Sequence, residues 1–135
     1  NIYYIKYKMI KTKPCPCGSA LHLENCCSPY IYDGVVVPTA EKLMRSRFTA
    51  YCLQNADYLY NTTHVSQKKY TNKSDILAWA KSNTWQKLEI LNFSENTVEF
   101  KAYYLDENRK PQIHHEKSTF INFQDAWFYV DGKFY

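Results

Sequence analysis

Thr97-Val98-Glu99-Phe100-Lys101-Ala102-Tyr103-Tyr104 sets Val98, Phe100, Ala102 and Tyr104 against Thr97, Glu99, Lys101 and Tyr103. Strict alternation of this kind marks a strand with one buried face. Glu95-Asn96 supplies a turn before it, and residues 106–111 supply one after it. Residues 113–123 and 126–130 read as the last two strands, joined near Gln124-Asp125, and the strand pattern begins at Trp85. Upstream the period changes. Thr39 is a good N-cap with Glu41 in the first turn, so a helix is predicted over 40–54. Its Leu43, Met44, Phe48, Tyr51 and Cys52 fall on one stripe and read as core, with Cys52 an inert buried thiol. A short helix over 56–60 follows, then a third capped by Ser74 or Asp75 and ending near Ser82-Asn83. Residues 65–73 read as a polar, basic loop and 29–38 as a linker with a turn at Asp33-Gly34. Helices followed by an antiparallel meander predict an α+β fold.

The chain has 135 residues, 45% apolar and 17% aromatic, enough for one domain with a real core, or a small module plus a domain. No apolar run approaches the roughly 18 residues of a membrane helix. No secretory signal is evident, so a cytoplasmic protein is expected. The net charge of +4 is all at one end: Lys6, Lys8, Lys11 and Lys13 carry it, and the other 13 basic side chains face 13 acidic ones. A nucleic-acid binder needs a basic face on its body, so that class is disfavoured. Residues 1–13 read as a leader, disordered or not native, with Met9 as the natural start; an ordinary strand of Ile and Tyr is the alternative.

Four of the five cysteines, Cys15, Cys17, Cys26 and Cys27, form two tight pairs. Neighbours this close bridge each other only with strain, cross-pairing is possible in principle, and no secretory context supports disulfides. Tetrahedral zinc wants four soft ligands about 2.3 Å away, which two close pairs can supply. Pro16 and Gly18 favour a tight turn that aims N–H groups at the thiolates. Four thiolates and Zn²⁺ leave a negative site beside Lys11 and Lys13. His22 reads as a spectator. A closed set of four cysteines leaves no open position for water, so one structural zinc per chain is expected. Chelation is then expected to unfold residues 14–30 and leave the domain beyond about residue 38 mostly folded.

The run Cys15-Pro16-Cys17-Gly18-Ser19 followed by Cys26-Cys27 resembles the SEC-C motif, the zinc knuckle at the C-terminus of the SecA translocation ATPase. The motif usually has Gly where this chain has Ala20, which costs on the order of 1 kcal/mol if the site needs positive φ. Pro38-Thr39-Ala40-Glu41-Lys42-Leu43-Met44-Arg45-Ser46-Arg47-Phe48-Thr49-Ala50-Tyr51 extends the match, as do Tyr58-Leu59, Thr63-His64, His115-Glu116-Lys117-Ser118-Thr119-Phe120 and Trp127-Phe128-Tyr129-Val130-Asp131-Gly132. Together they resemble the small, bacterial, uncharacterised YchJ-like family. The resemblance implies a SEC-C knuckle at 14–30 and an NTF2-like α+β domain at 31–135. In that fold a curved antiparallel sheet wraps about three helices around a conical pocket.

His114, Glu116, Ser118 and Phe120 share one face of their strand; His115, Lys117, Thr119 and Ile121 share the other. His114-His115 is therefore no metal site by spacing. If Glu116 faces the pocket, Arg45 or Arg47 is its expected partner, with Ser118 and His64 nearby and Trp127 in the wall. Arg47, flanked by core positions, either snorkels or meets a buried acid. That cluster either locks helix to sheet or forms a ligand site. The function expected is a non-catalytic binding or adaptor protein whose knuckle docks a protein partner, with room for a small molecule in the cone. The knuckle in SecA serves partner binding, which supports it. A small lyase, isomerase or hydrolase using Glu116 and His64 is the alternative. Ribosome or nucleic-acid contact through the knuckle and Lys11/Lys13 is the third reading.

Overall fold

The alternation read in residues 97–104 is carried into space as far as Ala102, and Tyr104 is only partly buried. In the strand Thr97–Leu105, Val98, Phe100 and Ala102 are buried and their neighbours are not. The computed structural model describes residues 13–135, together with Ile2. The leader, its start at Met9 and its lysines up to Lys11 lie outside the described residues. Among the described residues four α-helices, α1 (Ser28–Tyr32), α2 (Ala40–Cys52), α3 (Ala56–Asn61) and α4 (Lys73–Ser82), precede four strands, β1 (Thr84–Phe93), β2 (Thr97–Leu105), β3 (Pro111–Phe123) and β4 (Ala126–Phe134). The strands form one antiparallel meander in the order β1-β2-β3-β4. Bulges interrupt the register near Gln86 and Leu91 in β1 and at Val130 in β4, opposite Thr119 and Phe120. Such bulges bend a sheet. This is the α+β, NTF2-like curved sheet expected. Gln124 and Asp125 both take positive φ, as the two central residues of a tight β3–β4 hairpin require.

Local chemistry explains the helix ends. Thr39 caps α2 by accepting from the Lys42 N–H at 3.1 Å. α4 begins earlier than expected, because Asn72, not Ser74 or Asp75, accepts from the Asp75 N–H at 2.8 Å. Asn55 caps α3 in the same way through Tyr58. Two corrections concern segments read as irregular. The linker starts with α1, entered through Pro29 in its first turn, where the missing N–H costs nothing. The basic loop holds a 3₁₀ turn over Val65–Tyr70.

α2 lies across the sheet and meets β1, β2 and β4. Leu43, Met44 and Phe48 are buried as expected, but so are Ser46, Arg47, Thr49 and Ala50. A helix buried this far round must be covered on more than one side. The sheet covers one side and the cysteine segment another. That segment is a small hairpin: Cys15 N–H donates to Leu21 O at 2.8 Å and Leu23 N–H to Lys13 O at 2.8 Å. Its turn needs two left-handed residues, Gly18 at φ 83° and Ala20 at φ 69°. Gly tolerates this and Ala does not. Ala20→Gly is therefore expected to raise stability by up to about 1 kcal/mol, read as a higher urea midpoint at unchanged slope. An unchanged or lower midpoint contradicts the strain.

Candidate metal centre and binding cavity

The hairpin and the N-terminus of α1 bring Cys15, Cys17, Cys26 and Cys27 together, with all four sulfurs within 4.8 Å of one another. Cys17 Sγ lies 3.6 Å from Cys26 Sγ, and Cys26 Sγ lies 3.8 Å from Cys27 Sγ. Four sulfurs at 2.3 Å from a tetrahedral ion stand about 3.8 Å apart, so the cage has the size of a four-thiolate site. A disulfide needs about 2.05 Å, and all four thiols are free. His22 is exposed and outside the cluster, a spectator as expected.

Without a cation the cluster cannot ionise fully. Hydrogen bonds from Cys15 and Cys27 hold the Cys17 thiol far below its ordinary range. The hydrogen bonds to Cys15 and Cys17, with burial, push Cys27 far up. Burial pushes Cys26 up to about 11. Cys17 takes charge readily, while Cys26 and Cys27 hold their protons. A bound divalent ion lets all four deprotonate. Ser19 Oγ supports Cys26 Sγ at 3.0 Å, and Thr49 Oγ1 of α2 approaches Cys15 Sγ at 3.6 Å. Arg45 donates from Nη1 to Cys17 O at 2.7 Å and from Nε to Glu41 at 3.2 Å. Among the described residues the positive charge that meets the knuckle is Arg45, while Lys13 is exposed. Cys15, Cys17, Leu23 and Cys27 share one buried cluster with Leu43, Phe48 and Leu88. The knuckle is part of the core, so the expectation that chelation leaves the domain mostly folded does not fit this packing. Cys52 is half-buried, and burial pushes its thiol up to about 12, consistent with an inert side chain.

The second feature is a cavity of about 260 Å³ between α2, α4 and the sheet. Of the residues predicted for it, Arg47, Glu116 and Ser118 line it; Arg45, His64 and Trp127 do not. Arg45 and Arg47 are two positions apart, about 200° round the helix, so one meets the knuckle and the other the cavity. His64 packs on Phe123 and Phe128, at ring distances of 5.5 and 6.1 Å. Phe128 and Tyr129 face opposite sides of β4, and Tyr129 faces the cavity, so His64 lies behind the wall. Trp127 donates to Pro38 O at 3.2 Å and borders a groove at the start of α2.

Glu116 has no arginine partner. Its Oε1 meets His114 Nε2 at 2.7 Å. Its Oε2 accepts from Ser118 Oγ at 2.6 Å and from Tyr129 OH at 3.0 Å. Burial works against its charge, but the three hydrogen bonds outweigh burial and hold the carboxyl below the ordinary glutamate value. Burial and the Glu116 charge push the Tyr129 phenol up. Arg47 instead donates from Nη1 to Leu59 O at 2.9 Å and Thr62 Oγ1 at 2.7 Å, with its Cζ 4.7 Å above the Tyr129 ring. His114, Tyr129 and the aromatic walls (Phe48, Tyr51, Trp79, Trp85) were absent from the expected site. His114 was legible, since it shares the Glu116 face of β3. Gly132 is the hidden requirement: a Cβ there would overlap the Glu116 carboxylate.

A cysteine knuckle of this pattern, fused to a helix-and-meander cone, defines SEC-C proteins with an NTF2-like domain. The family described as YchJ, middle NTF2-like domain, matches residues 39–132. The chain belongs to this YchJ-like family. A "UPF0225 protein" of Haemophilus influenzae is 38% identical over 125 residues, covering 89% of this chain and 78% of that one. Its counterpart in Geobacter sulfurreducens is 37% identical over 128 residues, covering 90% and 79%. The solution structure of a SEC-C motif containing protein from Rhodopseudomonas palustris superposes with a TM-score of 0.82 at 30% identity, over 90% of this chain and 98% of that one. The crystal structure of another from Psychrobacter arcticus gives 0.76 at 29% identity, over 91% and 83%.

The depressed Glu116 carboxyl fixes a pH dependence. Its stabilising contribution is full above the ordinary glutamate pKa of about 4.3 and is lost as pH falls through the lower folded value. Glu116→Gln is expected to cost about 1–3 kcal/mol at neutral pH, with the gap to the parent closing below about pH 4. Denaturation at stepped pH values checks this; a gap constant down to pH 3 contradicts it. Gly132→Ala is expected to be destabilising as well, because it displaces the same carboxylate.

Proposed function

We propose that this is a cytoplasmic, non-catalytic binding protein, built on a structural zinc and carrying a small-molecule site in its cone. The observation that carries the reading is the cavity: about 260 Å³, aromatic on most of its wall, with Arg47, His114, Glu116 and Ser118 converging at one side. An apolar pocket with a few convergent polar groups is the usual form of a ligand site. Zinc suits a closed set of four thiolates and supplies shape rather than reaction. Among the described residues no helix is long and apolar enough to cross a membrane.

The enzyme alternative loses its acid–base pair. Glu116 spends both oxygens on three donors and is held in its charged form, whereas a general base works best with a pKa near the operating pH. His64 stands behind β4. The knuckle retains a second role in this reading, as a docking site for a protein partner. Leu21 on its turn is 53% exposed, and Val35 and Val36 in the linker are 50% and 64% exposed. Nucleic-acid contact has the neutral body against it.

Metal analysis joined to native mass spectrometry tests the proposal. Expected is one zinc per chain, and quenching of Trp79 or Trp85 fluorescence by small aromatic fragments. That quenching should be lost in a Phe48→Trp variant that fills the cavity. A metal-free protein with two disulfides refutes the zinc centre. Fragment binding that survives the filled cavity refutes the site.

A further inference from the structure

Arg47 is 7% exposed and carries a permanent charge, yet among the described residues it pairs with no carboxylate. Both hydrogen bonds of its guanidinium come from Nη1. Among the described residues Nε and Nη2 have no hydrogen-bond partner, and neither is sealed, since the one fully enclosed, unbonded side-chain N or O there is Ser28 Oγ. Those donors therefore open onto accessible space, and the space Arg47 lines is the cavity. Nε and Nη2 form the planar edge of a guanidinium that matches a carboxylate with two parallel hydrogen bonds.

Glu116 cannot fill this role. Its oxygens are occupied by His114, Ser118 and Tyr129, and Tyr129 stands between the two charges, its hydroxyl on Glu116 and its ring face under Arg47. A ligand cation would find an acceptor already covered by donors. A ligand anion would find open donors on a charge that burial leaves uncompensated. The rest of the wall takes an apolar body. Trp85 sits among Tyr51, Phe48 and Trp79 at ring distances of 5.2, 6.4 and 6.2 Å. The volume of about 260 Å³ lies below the roughly 300–1,000 Å³ of sites for drug-sized ligands, so the body is small.

Resting on the pocket reading above, we propose that the cone binds small apolar monocarboxylates, the carboxylate on Arg47 Nε and Nη2 and the apolar body against Trp85 and its neighbours. The test is calorimetric titration of the metal-loaded chain with phenylacetate and 3-phenylpropionate, against 2-phenylacetamide and phenethylamine as neutral and cationic counterparts. The carboxylates should bind at least about tenfold more tightly than either counterpart, and Arg47→Gln should remove that preference. Because Arg47→Gln removes bonds to Leu59 and Thr62 and its fold is at risk, the Arg47 Nε–H resonance of the unmodified protein is followed in parallel. It should shift on adding phenylacetate and not on adding phenethylamine. Equal or tighter binding of the amide or amine overturns the carboxylate assignment and leaves the pocket standing. Failure of all four probes to bind, with the Arg47 resonance unmoved, overturns the assignment too. In that case neutral aromatic fragments and the Phe48→Trp variant decide the fate of the pocket separately.

Discussion

The burial of α2 governs this molecule. A 13-residue helix with Ser46, Arg47, Thr49 and Ala50 buried alongside Leu43, Met44 and Phe48 cannot be satisfied by one sheet. Its second cover is the cysteine knuckle. The contact is made by Cys15 Sγ against Thr49 Oγ1 and by Arg45 against Cys17 O. The knuckle has no core of its own: it borrows Leu43 and Leu88, and they in turn are shielded by Cys15, Cys17, Leu23 and Cys27. An ion that lets four thiolates share one cage therefore supports the helix as well as the loop.

The same helix divides the two sites. Arg45 and Arg47 stand on opposite faces, one closing the knuckle, the other lining the cone. Arg45 is held by Glu41 and Cys17 O, Arg47 by Leu59 O and Thr62 Oγ1, and neither meets Glu116. Glu116 is held by neutral or histidine donors on its own sheet, with room made by Gly132. The two buried charges of the cone are thus supported independently, and Tyr129 touches both. Such an arrangement costs more than a direct ion pair would, because among the described residues Arg47 keeps donors without partners. In a site built for a ligand, the ligand supplies the missing partner.

Much of this was legible in the residues. Period-two alternation fixed β2 and the buried face of β3, so Glu116 and Ser118 were placed correctly. Thr39 announced the start of α2, and the cysteine pairs announced the cage. What failed depended on long-range geometry. Arg45 was assigned to the cone although two residues along a helix point nearly opposite ways. His64 does not reach the cone, and the parallel bridge of Thr63 to Tyr129 that sets it behind β4 has no local signal. The fusion of the knuckle to the core, through Thr49 and Leu88, is likewise invisible in a chain read segment by segment.

The central claim is that metal site and helix are one cooperative unit. Amide hydrogen exchange on the intact chain, before and after chelation, tests it most directly. Protection of residues 40–52 in α2 should fall together with that of residues 14–30. If the knuckle loses protection while α2 keeps its own, the helix does not depend on the cage, and the account is contradicted.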